Sequence, residues 1–187
     1  MISCKFGGRC IIHIVLTAFF QYISLNIFSQ PAADEYLLKT VYCAKICEFI
    51  EWPAANLGNQ TDNFVLGIVG TTKINARFYE VYVKQHHKIK NHPVEIIEIN
   101  NYNEITKCNL LYITSKISLL ELTKILALTH DKAILTISES SGYASKGVLL
   151  NFYIESSNLR FEINTKAIPL TGLYFDSLFL SNVQVIK

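Results

Sequence analysis

The chain has 187 residues, half of them apolar and 17% charged, with a formal net charge of +2. That apolar content excludes a disordered chain, and a near-balanced charge without a basic block gives no footing for nucleic-acid binding. Setting aside roughly 30 N-terminal residues, the remainder has the size of one ordinary domain with a proper core.

In chain order, Lys5 and Arg9 come first, followed by an apolar run that continues to Phe28. A basic start and an apolar core make a secretory signal peptide, assigned here to residues 1–30. The run is long enough that residues 11–28 also fit an uncleaved membrane anchor; a buried N-terminal helix is the third reading. All but the last imply export, with one α/β domain over residues 31–187.

Asp34 is a good N-cap for a helix carrying Leu37, Leu38, Val41, Ala44, Cys47, Phe49 and Ile50 on one broad apolar stripe, stopped by Trp52-Pro53. Phe64–Val69 reads as a buried strand ending in Gly70, and Lys73–Lys84 as a helix. The Gly70-Thr71-Thr72 turn could bind an anion or be an ordinary strand-to-helix turn. His86, His87 and His92 invite a metal reading, but no carboxylate or cysteine joins them, so a solvated connection is expected. Strands follow at Val94–Ile99, Asn109–Thr114 and Lys132–Ser138, with a helix opened by the capping box Ser118-Leu119-Leu120-Glu121. Alternating strands and helices predict a mainly parallel sheet flanked by helices on both faces. Val148–Ile154 and Leu159–Asn164 form an antiparallel hairpin, and Lys166–Val185 is expected to be a terminal helix. Within the hairpin, Arg160 and Glu162 share a polar face as a surface ion pair.

The sequence offers no catalytic set: there is no GxSxG elbow, HExxH helix or CxxC motif, and the acids are scattered singly. The expectation is a protein that is not an enzyme and holds no metal or cofactor. In open α/β sheets ligands gather at the carboxyl ends of strands, which singles out Thr71, Thr72, Ser140, Ser141 and Gly142 as a candidate ligand loop. Cys43 and Cys47 share a helix face, and three readings stay open for them: core packing, a disulfide of one with Cys108, or a metal.

Glu35-Tyr36-Leu37-Leu38-Lys39 followed by Phe49-Ile50-Glu51-Trp52-Pro53 resembles the opening of the YfiR-like family of bacterial periplasmic proteins. Later landmarks keep the family order: Phe64–Gly70, the cysteine-led Cys108–Ile113, Ile134–Ile137, and Arg160-Phe161-Glu162-Ile163-Asn164 before Ala167 and Gly172. The resemblance implies a small exported regulator without enzymatic activity. Such a protein binds the periplasmic part of an inner-membrane signalling protein, restrains a cyclase or kinase there, and can form a homodimer. It makes Arg160, Phe161, Glu162, Asn164 and Gly172 structural motif residues. Gly67 stands where relatives often carry a cysteine, which removes the usual partner of Cys108, and Lys146-Gly147 replaces a common Gly-Gly. An aromatic anchor at a helix end is a common interface hot spot, so Phe49, Ile50, Glu51, Trp52 and Pro53 are the candidate partner-binding residues. The competing reading of Trp52 is a plug in the core. The competing reading of the protein is a small-molecule sensor using the ligand loop.

Overall fold

A computed structural model describes residues 34–57, 62–181 and 183–186, with Ile186 described by its backbone only. The expected leader or anchor in residues 1–30 lies outside the described residues. From Asp34 onward the chain forms one compact unit.

Helix α1 spans Glu35–Cys47, and the Asp34 carboxylate accepts bonds from the Tyr36 and Leu37 N–H groups. Its buried face differs from the expected stripe. Lys39, Thr40, Cys43, Ala44, Ile46 and Cys47 face inward, while Leu37 and Val41 are exposed. The small side chains at 43, 44 and 47 let the helix lie close to the sheet, and Lys39 is drawn in by a buried acid described below. The helix also ends before Trp52-Pro53. Glu48 caps it, and Ile50–Glu51 (β1) runs extended against Tyr174–Phe175 (β8).

The main sheet has seven strands: β2 (Phe64–Val69), β3 (Val94–Glu98), β4 (Leu110–Ile113), β5 (Leu135–Ser138), β6 (Leu150–Glu155), β7 (Asn158–Asn164) and β9 (Gln184–Ile186), in the order β3-β2-β4-β5-β6-β7-β9. The first five in that order are parallel, β6 and β7 form the antiparallel hairpin, and β9 lies parallel to β7. The crossover direction reverses between β2 and β4, the arrangement of a doubly wound sheet. Buried on both sides, β2 and β4 read as near-continuous apolar runs, while β5 is buried throughout although it carries Thr136 and Ser138.

Side chains alternate between two cores. Leu66, Ile68, Leu110, Tyr112, Leu135 and Ile137 pack under α1 and α2 (Lys73–Phe78), which continues as a π-helical turn through Lys84. Leu111, Ile113 and Ile134 point the other way, under α3 (Leu119–Thr129) and the 3-10 turn Tyr102–Lys107. The capping box is present at both helix starts: Thr72 with Asn75, and Ser118 with Glu121.

The C-terminal segment corrects the expected long helix. It is a 3-10 turn (Ile168–Leu170), then β8, a five-residue helix α4 (Ser177–Ser181), then β9. Pro169 gives no amide donor, and Gly172 takes a left-handed φ of 68° that ends the turn. The histidine segment differs as well. His92 is buried, and its Nδ1 lies 2.9 Å from the Asp62 carbonyl oxygen.

Candidate partner-binding face

Helix α1 runs antiparallel to the parallel strands, so its C-terminal end meets their starts. Trp52 is 8% exposed there. Its Nε1–H donates to the Asn109 carbonyl at 3.2 Å, and its ring meets Phe64 edge-on at 5.3 Å. Ile50 is fully buried. The core-plug reading therefore describes Trp52, and Ile50 is likewise part of the core. Phe49 and Glu51 face outward, and Pro53 is half-buried.

Around Phe49 the fold builds a corner that local sequence did not reveal. Phe49 is 46% exposed and stacks on Phe179, with ring centroids 4.8 Å apart. Phe179 stacks in turn on Phe161, which meets Phe152 edge-on. The Asp176 N–H donates to the Phe49 carbonyl at 2.9 Å, while the Asp176 carboxylate accepts from the Phe179 amide at 3.0 Å. Tyr174 and Leu178 stand 70% and 72% exposed on the same segment. A hollow of about 260 Å³ is lined by residues of the β1–β8 pair, and Glu48, Glu51 and Asp176 give it an acidic rim. Aromatic surface ringed by carboxylates suits an apolar partner segment that carries cations.

The hairpin motif acquires physical roles. Phe161 belongs to the aromatic ladder. Arg160 pairs with Glu155 at 3.7 Å and not with Glu162, which corrects the expected ion pair. Glu162 instead accepts from Asn151 Nδ2 at 3.2 Å. Asn164 donates to the Ala144 carbonyl at 2.7 Å and accepts from the Lys166 and Ala167 amides, clamping the loop after β5 to the hairpin exit.

At the carboxyl ends of the strands an ion pair missed by sequence reasoning holds the structure. Lys39 Nζ lies 2.7 Å from the Glu139 carboxylate, which also accepts from the Tyr112 hydroxyl at 3.1 Å and the Ser115 amide at 3.2 Å. Lys39 also pairs with Glu35 one turn back. Burial works against the charge on Lys39, but its hydrogen bonds to Glu139 and Glu35 outweigh it and hold its pKa above the ordinary value. The expected ligand-loop residues sit nearby in local roles. Thr72 caps α2, and Thr71 precedes it. Ser141 and Gly142 form an exposed tip after Ser140, while buried Tyr143 and Ala144 hold the loop down and the Tyr143 hydroxyl donates to the Ile117 carbonyl.

Cys43, Cys47 and Cys108 are all free and buried. Of the three readings left open, core packing describes Cys43 and Cys47; a bridge to Cys108 is not formed, because they lie in the core under α1 while Cys108 lies in the other, with the sheet between them. Among the described residues no cluster of histidine, cysteine and carboxylate could hold a metal.

A family model described as YfiR/HmsC-like matches residues 36–182. No curated protein sequence matches the chain.

Proposed function

Since the chain belongs to the YfiR/HmsC-like family, we propose that it is a non-enzymatic periplasmic regulator. It binds and restrains the periplasmic part of an inner-membrane signalling protein, such as a diguanylate cyclase or sensor kinase. The observation that supports this reading is the corner around Phe49: exposed aromatic and aliphatic surface, backed by a stacked ladder, with an acidic rim. Exposed apolar surface of this kind on a small domain marks a protein contact. The partner segment would carry lysine or arginine beside an apolar anchor. Among the described residues no helix is long and apolar enough to cross a membrane.

The test is capture of the membrane partner by tagged wild-type, Phe49→Ala and Tyr174→Ala proteins in parallel, with cellular cyclic-di-GMP as the output. A central hot spot costs about 2 kcal/mol or more when truncated, on the order of 30-fold in affinity. Both variants should stay folded, Tyr174→Ala with an unchanged melting temperature and Phe49→Ala a few degrees lower because it loses the stack on Phe179, and both should capture less partner and release the output. Full capture by the folded double variant would remove this corner from the interface.

A further inference from the structure

The face opposite α1 carries a groove that the regulator reading does not use. Two hollows of about 320 and 140 Å³ adjoin along α3 and share Leu126 and Lys146. Leu119 and Leu122 wall the first, and Ile134, Leu149 and Leu170 wall the second. Leu119 and Leu170 are among the exposed large apolar side chains of the chain.

The polar groups of these walls are already engaged. The Thr123, Thr129 and Thr171 hydroxyls donate to carbonyls of their own turns at 3.0, 3.1 and 2.8 Å. The Thr136 hydroxyl accepts from the Leu149 amide at 2.9 Å. His130 pairs with Asp131 at 2.8 Å. Lys146 is different. It sits at the junction of the two hollows, at the end of the 3-10 turn Ala144–Lys146, and makes no ion pair among the described residues. No carboxylate is among the described residues lining either hollow.

A ligand for this groove needs an apolar body and one anionic head. Nucleotides, sugars and amino acids carry several polar groups that these walls would leave unmatched, each at a desolvation cost. The combined space suits a single chain and is too small for a two-chain lipid. We propose that the α3 groove binds a free medium-chain monocarboxylic acid, with its chain along Leu119, Leu122 and Leu126 and its carboxylate on the Lys146 ammonium. This site is independent of the corner around Phe49, so either proposal can fail without the other.

The experiment is calorimetric titration of the purified full chain with hexanoate, octanoate, decanoate and dodecanoate, each below its micellar concentration. Affinity should rise about four-fold per added methylene and then level off once the hollows are filled. 1-Octanol should bind about two- to five-fold more weakly than octanoate, because Lys146 is exposed and a solvated ion pair contributes about 1 kcal/mol or less. Lys146→Met should erase that difference between acid and alcohol. Thr123→Trp, which places an indole across the first hollow from an exposed helix position, should abolish binding of both while leaving the melting temperature unchanged. Absence of saturable binding by wild type would overturn the proposal. So would a carboxylate preference that survives Lys146→Met, or affinity untouched by Thr123→Trp. Co-sedimentation with phosphatidylglycerol vesicles in the absence of free-acid binding would assign the groove to a membrane surface instead.

Discussion

The space beside Cys108 makes a sharp prediction about Gly67. An ideal Cβ built at Gly67 would lie 2.5 Å from the Cys108 sulfur and 3.0 Å from a Leu111 methyl. Gly67→Ala is therefore overpacked and should cost about 1–3 kcal/mol. Gly67→Cys meets the same crowding while reduced, but its sulfur is placed where a bond to Cys108 relieves the contact. The loop it closes has roughly 40 residues, for which the chain-entropy model gives about 4 kcal/mol of stabilisation. In a domain of this size that is a rise on the order of 10 °C in melting temperature between reduced and oxidised forms. Burial and the nearby Glu104 push the Cys108 thiol up to about 12, so its thiolate is scarce near neutrality and air oxidation should be slow. The variant should be oxidised with a thiol catalyst at mildly alkaline pH, checked by loss of two titratable thiols under denaturing conditions, and melted with and without reductant. The sign must invert between Ala and oxidised Cys. An oxidised Gly67→Cys protein no more stable than its reduced form would refute the assigned geometry.

Three further outcomes concern the buried thiols, the Lys39–Glu139 pair and the hairpin turn. Burial raises the pKa of Cys43, Cys47 and Cys108 above the ordinary thiol value of 9.0, so the folded state keeps protons that the unfolded state releases. Their stabilisation is complete below about pH 9 and is lost as pH climbs toward 12, at up to roughly 1.4 kcal/mol per pH unit for each thiol. Denaturant titrations from pH 8 to 11 should show this fall, and Cys108→Ala should make it shallower; a flat profile would contradict the burial argument. Lys39→Met strands the Glu139 carboxylate without its buried counter-charge and should cost about 3–5 kcal/mol, most of it recovered on adding Glu139→Gln. A double variant no better than the single one would show that the pair is not coupled. The β6–β7 hairpin turns through Ser156 and Ser157, both at positive φ of 48° and 64°, where Asn-Gly is preferred. Ser156→Asn with Ser157→Gly should therefore raise stability by about 1 kcal/mol, read as a shift in the denaturant midpoint.

What was legible in the sequence was what local chemistry decides. The runs Phe64–Val69 and Leu110–Ile113 could only be buried strands, and the Asp34 and Ser118 caps place their helix starts with side-chain hydrogen bonds found in the structure. The parallel sheet with its hairpin followed from the order of those elements. Long-range pairing was not legible. Lys39 and Glu139 are 100 residues apart, and nothing near either announces that a charged side chain will point inward. That pairing helps turn α1 so that Leu37 and Val41 face outward, against a simple apolar-stripe reading. At the C terminus the apolar residues from Leu170 to Leu180 fit a helical period and an extended one equally. Pro169 and Gly172 decided the outcome by breaking the segment. The Phe49 corner was half legible: Phe49, Glu48 and Glu51 marked the place, but Phe161, Phe179, Tyr174 and Asp176 arrive from elements more than a hundred residues later.

Helix α1 joins two places that differ in kind. At one end the Lys39–Glu139 pair, with Tyr112 and the Ser115 amide, fills the carboxyl edge of β4 and β5 with fully engaged polar groups. Ligands of a doubly wound sheet gather at the carboxyl ends of its strands, and here Lys39 of α1 occupies part of that edge. At the other end the same helix passes into β1, which is held to β8 by backbone pairing, and presents Phe49 on Phe179. Thirteen helical residues span about 20 Å, and the buried Cys43, Ala44 and Cys47 fix the span between them against the sheet. The helix thus behaves as a stiff strut whose outer end carries the exposed aromatic. Ile50 and Trp52 beside it are buried in the core, and a preorganised anchor loses less freedom on binding than a flexible one. A stable strut with an aromatic end is what the proposed partner contact requires.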